Sequence, residues 1–455
     1  MKKLVSLVMV VAITACATTS PVLEPQVTAA PAWNEPGAAD AGVPTATWWQ
    51  AFGSAELQSL VDDALRGSPD LAIAVERVRQ AEAQVRVAGA SLFPSLNLGF
   101  GTSANATRTD GRTAKSEGSS TSLTASYEVD LWGKNAAGVR GAQASLQATR
   151  YDHDTARLTL IAGVATAYIE VISLRGRVAV ARENLAIAER VLNLVQARAR
   201  NGAVSPLDVA RQEATVLSQR AALLPLEQLE RQTLAALAVL AGRVPEGFDV
   251  RAKALAEVSV PAINPGLPAE LVVRRPDLAA AEAQLAASNA NLSAARAALL
   301  PSIQLTGSAG VASGALLAVL GGPSASVALA ASVLQPIFDG GRLKGQVAIA
   351  ESRERELAET YRKAILSAFA DVEKALVAGS KLSERELLQS QVQDRAREAL
   401  RLAEVRYREG ADDLLSVLDA QRTLFDAQDQ LAQIRRDRLE AAVALYKALG
   451  GGWQT

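Results

Sequence analysis

Three short motifs occur twice in this 455-residue chain at one fixed separation, so the fold must accommodate two copies of one structural unit. Pro69-Asp70-Leu71 returns as Pro276-Asp277-Leu278, Leu92-Phe93-Pro94-Ser95 as Leu299-Leu300-Pro301-Ser302, and Leu131-Trp132-Gly133 as Phe338-Asp339-Gly340, each displaced by 207 residues. Further along, Gly202 matches Gly410, Leu207 matches Leu415, Val209 matches Val417 and Gly242 matches Gly450, now displaced by 208. Two repeats, 47–248 and 249–455, with one residue of slippage account for all seven matches.

Each repeat opens with a helical stretch, Ala55–Ser91 and Pro268–Leu299, that runs into a proline. The hydrophobic period then changes. Leu96, Leu98 and Phe100 alternate with Asn97 and Gly99, and Leu123, Ala125, Tyr127, Val129 and Leu131 alternate with Thr124, Ser126, Glu128 and Asp130. In the second repeat Ile303 and Leu305 alternate with Gln304 and Thr306, and Val327, Leu329, Ala331 and Val333 follow with small residues between them. Alternation over about ten residues, bounded by turn-forming segments, is the pattern of a transmembrane β-strand, which predicts one hairpin per repeat over 95–132 and 302–337. The uncharged segment 297–338 has a competing reading as an inner-membrane helical hairpin, against which stand the interruption at Gly321-Gly322-Pro323 and the polarity of its matched segment 95–132. Four strands cannot close a barrel in lipid, where unpaired edges are costly. The chain must therefore oligomerise, and a trimer sharing twelve strands is one natural closure.

No proline lies between Pro94 and Pro206 or after Pro336, which permits helices from about 134 to 200 and from 341 to 409, each about 100 Å long if continuous. Gly138, Gly141, Gly163, Gly345 and Gly379 offer the alternative of shorter stacked helices. At Asn201-Gly202 and Glu409-Gly410 the chain turns, predicting helical hairpins over 134–241 and 341–449. In the last helix Val417, Ala420, Leu424, Ala427, Leu431, Ile434, Ala441, Leu445 and Ala448 form a 3,4-spaced seam with Arg438 its one exception, and Leu418, Phe425, Ala432, Leu439 and Tyr446 form a second stripe beside it. Two adjacent seams suit a helix with a neighbour on either side.

Composition removes other function classes. There are 47 Lys+Arg against 48 Asp+Glu, and the first fifteen residues carry Lys2 and Lys3 but no acid, so a generalised nucleic-acid binder is excluded. One histidine, His153, and one cysteine, Cys16, leave no Cys/His metal cluster and no Cys–His nucleophile pair. Asp152-His153-Asp154 has no second ligand cluster, and Gly99-Phe100-Gly101 lacks the third glycine of a dinucleotide loop. Residues 1–15 combine Met1-Lys2-Lys3 with the apolar run Leu4–Ile13, a signal-peptide pattern too short to span as a helix. The small residues before Cys16 resemble a lipoprotein signal, which implies lipidation of Cys16, and Ala17 after it implies the outer membrane. Residues 16–46, rich in Pro, Ala and Thr, read as a lipid-anchored flexible tether.

With these pieces in place the chain resembles the TolC-like outer-membrane efflux proteins, specifically the lipoprotein branch often labelled NodT. The resemblance rests on Trp48-Trp49-Gln50-Ala51-Phe52, Tyr127-Glu128-Val129-Asp130-Leu131-Trp132-Gly133, Arg274-Arg275-Pro276-Asp277-Leu278, Leu418-Asp419-Ala420-Gln421-Arg422-Thr423-Leu424-Phe425 and the C-terminal Leu445-Tyr446-Lys447-Ala448-Leu449-Gly450-Gly451-Gly452-Trp453. It implies a mainly α chain with transmembrane β: a homotrimer whose 12-stranded outer-membrane barrel continues into a long periplasmic α-helical barrel. Such proteins are passive exit ducts for small toxic compounds, served by a periplasmic adaptor and an inner-membrane transporter of the resistance-nodulation-division type, with no cofactor and no turnover. The resemblance also implies a periplasmic gate at Leu415, Asp419, Arg422 and Tyr407, and tip or adaptor contacts at Asn201, Gly202, Gly410, Asp412 and Asp413. Asp419 and Arg422, three apart, share a helical face and can pair locally or with a neighbouring helix. Two other functions use parts of the same pattern: an outer-membrane channel for type I protein secretion, and a lipid-anchored periplasmic coiled-coil scaffold without a pore, which leaves the alternating hairpins unexplained.

Overall fold

A computed structural model describes residues 27–35, 42, 44–314 and 324–453. Cys16 and the signal segment lie outside the described residues. The elements are α1 (Ala55–Gly67), α2 (Pro69–Gly89), β1 (Ser95–Thr109), β2 (Arg112–Val129), α3 (Lys134–Arg200), α4 (Pro206–Leu240), α5 (Pro276–Ala297), β3 (Ser302–Ser313), β4 (Ser324–Leu334), α6 (Arg342–Arg408) and α7 (Leu414–Ala448). The chain divides into two compact units, each drawn from both repeats. One comprises Glu76–Arg150 with Ala280–Lys363, the other Val27–Val75, Tyr151–Ala279 and Ala364–Thr455.

The first unit carries one antiparallel sheet in the order β1-β2-β3-β4. Its first hairpin turns at Asp110-Gly111, both with positive φ (49° and 79°), the two-residue turn whose twist matches that of the strands. The register pairs Leu98 with Leu123, Leu123 with Ala309 and Ala309 with Val327, and pairs Val129 with Ile303 and Ile303 with Val333. Directly paired residues share a face. One face therefore collects Leu96, Leu98, Phe100, Leu123, Tyr127, Leu305, Val327, Leu329 and Val333, while the other carries Asn97, Ser122, Thr124, Ser126, Glu128, Gln304, Thr306 and Ser332. The apolar face is bare in the single chain, with Leu98 75% and Leu329 88% exposed. Among the described residues β1 and β4 each pair on one side only. Below the sheet, the Trp132 indole donates to the Pro301 carbonyl at 2.7 Å, and Arg296 pairs with Glu351 at 2.9 Å.

The long helices are unbroken. α3 and α6 each run for 67 residues, through Gly138, Gly141 and Gly163 in one and Gly345 and Gly379 in the other. An isolated helical glycine costs only about 1 kcal/mol against alanine, which a long packed helix absorbs, whereas a proline would have removed a hydrogen bond and clashed. The shorter stretches, in contrast, do break. Ser68 before Pro69 adopts ψ 123° and separates α1 from α2, so Ala55–Ser91 is two helices and a short 3-10 turn. Pro268–Leu299 begins as a 3-10 turn at Pro268–Val273 and becomes α-helical only from Pro276. α3 also contains an apolar window long enough to cross a membrane, but 61% of it is buried; Leu160 to Leu174 supply core side chains to the second unit.

That second unit is held by aromatic and glycine contacts at its chain ends. Trp48 stacks on Tyr446 with ring centroids 4.9 Å apart, and Phe52 lies 6.1 Å from the same ring. The C-terminal glycines pass so close to neighbouring backbone that a Cβ on Gly450 would sit 1.9 Å from the Arg274 carbonyl oxygen. Glu56 accepts the backbone N–H groups of Arg251 and Ala252 at 2.6 and 3.0 Å and the Tyr168 hydroxyl at 3.2 Å, pinning α1 to the segment between the repeats. Burial, with Glu56 adding to it, pushes the Tyr168 phenol up to about 12. Part of the segment expected to be a free tether is attached: Trp33 donates to the Gly266 carbonyl at 2.9 Å and meets Phe369 edge-on, and Asn34 donates twice to Glu373. The Trp33 indole and Asn34 together attach this segment.

Candidate gate at the helix tips

The turn at the end of α3 and the turn at the end of α6 are built alike. Gly202 (φ 70°) lets Ala203 donate to the Arg198 carbonyl at 2.9 Å, and Gly410 (φ 74°) lets Ala411 donate to the Arg406 carbonyl at 2.9 Å. This six-to-one bond ends a helix in a left-handed residue, which glycine adopts without a Cβ clash. Asn201 bonds its side chain back to the Ala197 carbonyl at 3.0 Å. The return helices are capped by different residues. Ser205 and Asp208 form a reciprocal capping box with Pro206 at the first helical position, while Asp413 accepts the Ser416 N–H at 3.1 Å.

Asp412, its neighbour, accepts from the Asp413 N–H and the Ser416 hydroxyl, both at 3.0 Å, and pairs with Arg406 at 3.2 Å. The backbone N–H, the hydroxyl and then Arg406 together hold its carboxyl below the usual range. Both acids thus have local work at the turn.

Tyr407 is placed differently from the other three residues of the expected gate. It is buried in the core cluster with Val195, Leu400, Leu414 and Val417. Its hydroxyl finds no partner among the described residues, and burial raises its pKa. Above it lies Arg198, whose guanidinium carbon is 4.6 Å from the ring centroid and which donates to the Tyr407 carbonyl. Arg198 carried no sequence signal; it is one of several arginines in the last turns of α3.

Leu415, Asp419 and Arg422 do come together. They line a groove of about 450 Å³ between α4 and α7, with Ala214, Ser218 and Phe425 on its other walls. Leu415 is 59% exposed, and Asp419 and Arg422 are exposed as well. Among the described residues no ion pair joins Asp419 to Arg422, although they share a face, and beyond the helix ladder Asp419 only accepts the Thr423 hydroxyl at its carbonyl, at 2.9 Å. The groove floor holds a residue that sequence reasoning passed over. Gln421 is 1% exposed, yet neither its amide nitrogen nor its oxygen has a partner among the described residues.

Behind the tips, charged pairs tie α7 to both long helices. Arg177 of α3 makes a two-point contact with Asp429 at 2.7 and 3.2 Å, and Arg436 pairs with Glu170 at 3.2 Å. Arg438, the exception in the apolar seam, reaches Glu386 of α6 at 2.8 Å, and Arg435 reaches the same carboxylate at 3.1 Å. At Glu386, burial pushes upward but the two arginines outweigh it and lower the pKa. Glu440 is the opposite case. Burial, helped by Glu170 and Asp437 and opposed by Arg436, raises it to about 7.

The sheet with one apolar face and the paired helical hairpins have close parallels. A family model described as outer membrane efflux protein matches residues 60–243 and 267–451, one match in each repeat. The chain is 44% identical over 417 residues to the pyoverdine export outer membrane protein OpmQ of Pseudomonas aeruginosa, covering 90% of this chain and 88% of that one. It is 32% identical to the toluene efflux pump outer membrane protein TtgF of Pseudomonas putida, covering 89% and 85%. Among solved structures, the open state of the Neisseria gonorrhoeae MtrE outer membrane channel superposes with a TM-score of 0.86 at 31% identity, covering 96% of this chain and 98% of that one. The chain belongs to the outer membrane efflux protein family.

Proposed function

We propose that three copies of this chain pool their four-stranded sheets into a 12-stranded outer-membrane barrel, and that the trimer is the exit duct of a tripartite efflux pump. The observation that carries this reading is the sheet itself. Among the described residues its apolar face has no covering element, and β1 and β4 each leave a strand edge unpaired. In lipid, unpaired backbone groups cost several kcal/mol each, and joining β4 of one copy to β1 of the next removes every edge at once. Cys16 would carry the lipid that adds a second attachment to the same membrane.

An inner-membrane transporter of the resistance-nodulation-division type would supply the energy and a periplasmic adaptor would join it to the helical part, with Asn201, Gly202, Gly410, Asp412 and Asp413 at the contact. The cargo is small compounds rather than a folded protein. Relatives named for pyoverdine export and for toluene efflux support a small-molecule route.

Leu415, Asp419 and Arg422 form the gate, and Tyr407 supports it from the core. Threefold symmetry brings three Asp419 carboxylates towards one axis. At about 6 Å and an effective dielectric near 20, each like-charge pair costs roughly 3 kcal/mol. Because Asp419 and Arg422 have no ion-pair partner among the described residues, Arg422 is available to neutralise a carboxylate across a subunit boundary, and moving it opens the duct. The test is planar-bilayer conductance of the purified trimer. Asp419→Ala or Arg422→Ala should raise conductance and the entry of large antibiotics without loss of trimer; unchanged permeability in assembled variants would remove the gate assignment.

A further inference from the structure

Among the described residues the first hairpin reaches beyond the rest of the sheet. β3 ends opposite Ser119, yet β1 and β2 continue to pair from Ser103–Gly118 out to Thr109–Arg112. All the basic residues of the sheet lie in this extension: Arg108, Arg112 and Lys115.

Their faces follow from the register. Leu98 pairs with Leu123, so even positions of β1 and odd positions of β2 lie on the apolar face. Arg108 and Lys115 are on that face, as diagonal neighbours, because Arg108 pairs with Thr113 and Ala106 with Lys115. Arg112, opposite Thr109, points to the polar face. Along β1 the apolar face runs Leu96, Leu98, Phe100, Thr102, Ala104, Ala106 without a charge, and Arg108 is the first. Those ten or so residues match the height of the apolar band of a barrel whose strands tilt by about 40°. On β2 the same face carries Glu117 opposite Ala104, so its charge-free part ends there and the basic pair stands just above it, at headgroup height.

Both side chains are exposed, and neither has an ion-pair partner among the described residues. The one acid on this face, Glu117 opposite Ala104, leaves it with one positive charge in excess.

We propose that Arg108 and Lys115 form a clamp for the phosphate groups of a phosphorylated glycolipid in the outer leaflet, seating the barrel at a fixed depth. This rests on the membrane-inserted trimer proposed above. Continuity with the lipid-facing surface selects a lipid headgroup over a soluble anion: a phosphate at this height, on this face, belongs to the leaflet that the apolar residues below are immersed in. Guanidinium gives a phosphate two parallel hydrogen bonds, and the ammonium adds a point charge beside it.

The test reconstitutes the full-length trimer with bisphosphorylated lipid A or with the same lipid stripped of phosphate, and counts retained lipid by native mass spectrometry. A cation near an anionic surface is worth about fivefold in affinity, so the pair should give roughly thirtyfold preference for the phosphorylated form, weakening at high salt. Arg108→Gln with Lys115→Gln should abolish that preference, while Arg112→Gln on the opposite face leaves it intact. Equal retention of both lipids by a correctly inserted trimer, or equal loss in the Arg112→Gln control, would overturn the clamp. Failure of the protein to insert into bilayers at all would instead sink the barrel reading on which it stands.

Discussion

Arg198 lies 4.6 Å over the ring of Tyr407 and donates to that same residue's carbonyl, so the end of one long helix is fastened to the end of the other. The two residues come from different repeats, and the contact joins both helical hairpins at the tip. The carbonyl concerned also accepts from the Gly410 N–H at 3.1 Å, so the arginine reinforces the helix end itself.

Arg198→Ala should loosen the tip by about 2 kcal/mol, the sum of a cation–π contact and a charge-assisted hydrogen bond. Its readout is a higher open probability in bilayers with the trimer intact. Arg198→Lys should recover only part of the effect, because lysine cannot cover the ring face as a planar guanidinium does.

Tyr407→Phe separates core from chemistry. The hydroxyl is buried without a partner among the described residues, so removing it should leave stability unchanged or raise it by about 1 kcal/mol, while Tyr407→Ala should cost about 3–5 kcal/mol. Thermal unfolding of the detergent-solubilised trimer checks both. A large loss in the phenylalanine variant would show that the hydroxyl has a partner in the assembly.

Glu440 makes stability depend on pH in an unusual direction for a carboxylate. Its folded pKa, about 7, lies above the value of an exposed glutamate near 4.3. Between these two values the folded form holds a proton that the unfolded form has released, so stability falls as pH rises through the window. Glu440→Gln should therefore raise the unfolding temperature at pH 8 and change it little at pH 4, when both are measured by calorimetry. Glu386 runs the other way: its arginines lower the folded pKa, so its contribution is present at neutral pH and lost on acidification.

Gly450→Ala tests the close approach at the C-terminus. With φ 83° and a Cβ position 1.9 Å from the Arg274 carbonyl oxygen, the substitution should cost about 3 kcal/mol or more and reduce trimer yield. Gly138→Ala, at a helical glycine with open space around it, should be neutral or slightly stabilising.

The hairpins were legible because a half-exposed strand leaves a two-residue period that no helix produces, and that alternation named the large side chains of the apolar face from Leu96 to Phe100 and from Val327 to Val333, though not Val311. The tips were legible because two left-handed turns need glycine, and Gly202 and Gly410 stand at matching places in the repeats. Arg438, an apparent defect in a seam, became intelligible only when Glu386 of another helix came to meet it. Arg198 and Trp33 were invisible for the same reason: each acts on a residue distant in sequence, and nothing in its immediate neighbours distinguishes it from any surface arginine or linker tryptophan. Gln421 was invisible because its burial comes from the packing of the helices and not from its neighbours in sequence. The break at Ser68 was predictable from Pro69, but helical periodicity on both sides masked it.

The pooled sheet is tested most directly by disulfide trapping between strand edges. With Leu98→Cys on β1 combined in turn with Val327→Cys, Leu329→Cys and Val333→Cys on β4, oxidation in outer membranes should convert at least one pair into a covalent trimer, while each single variant stays monomeric on denaturing gels. Crosslinks that form only within one chain, or none in any pair although both cysteines are fully labelled in assembled protein, would contradict the shared barrel.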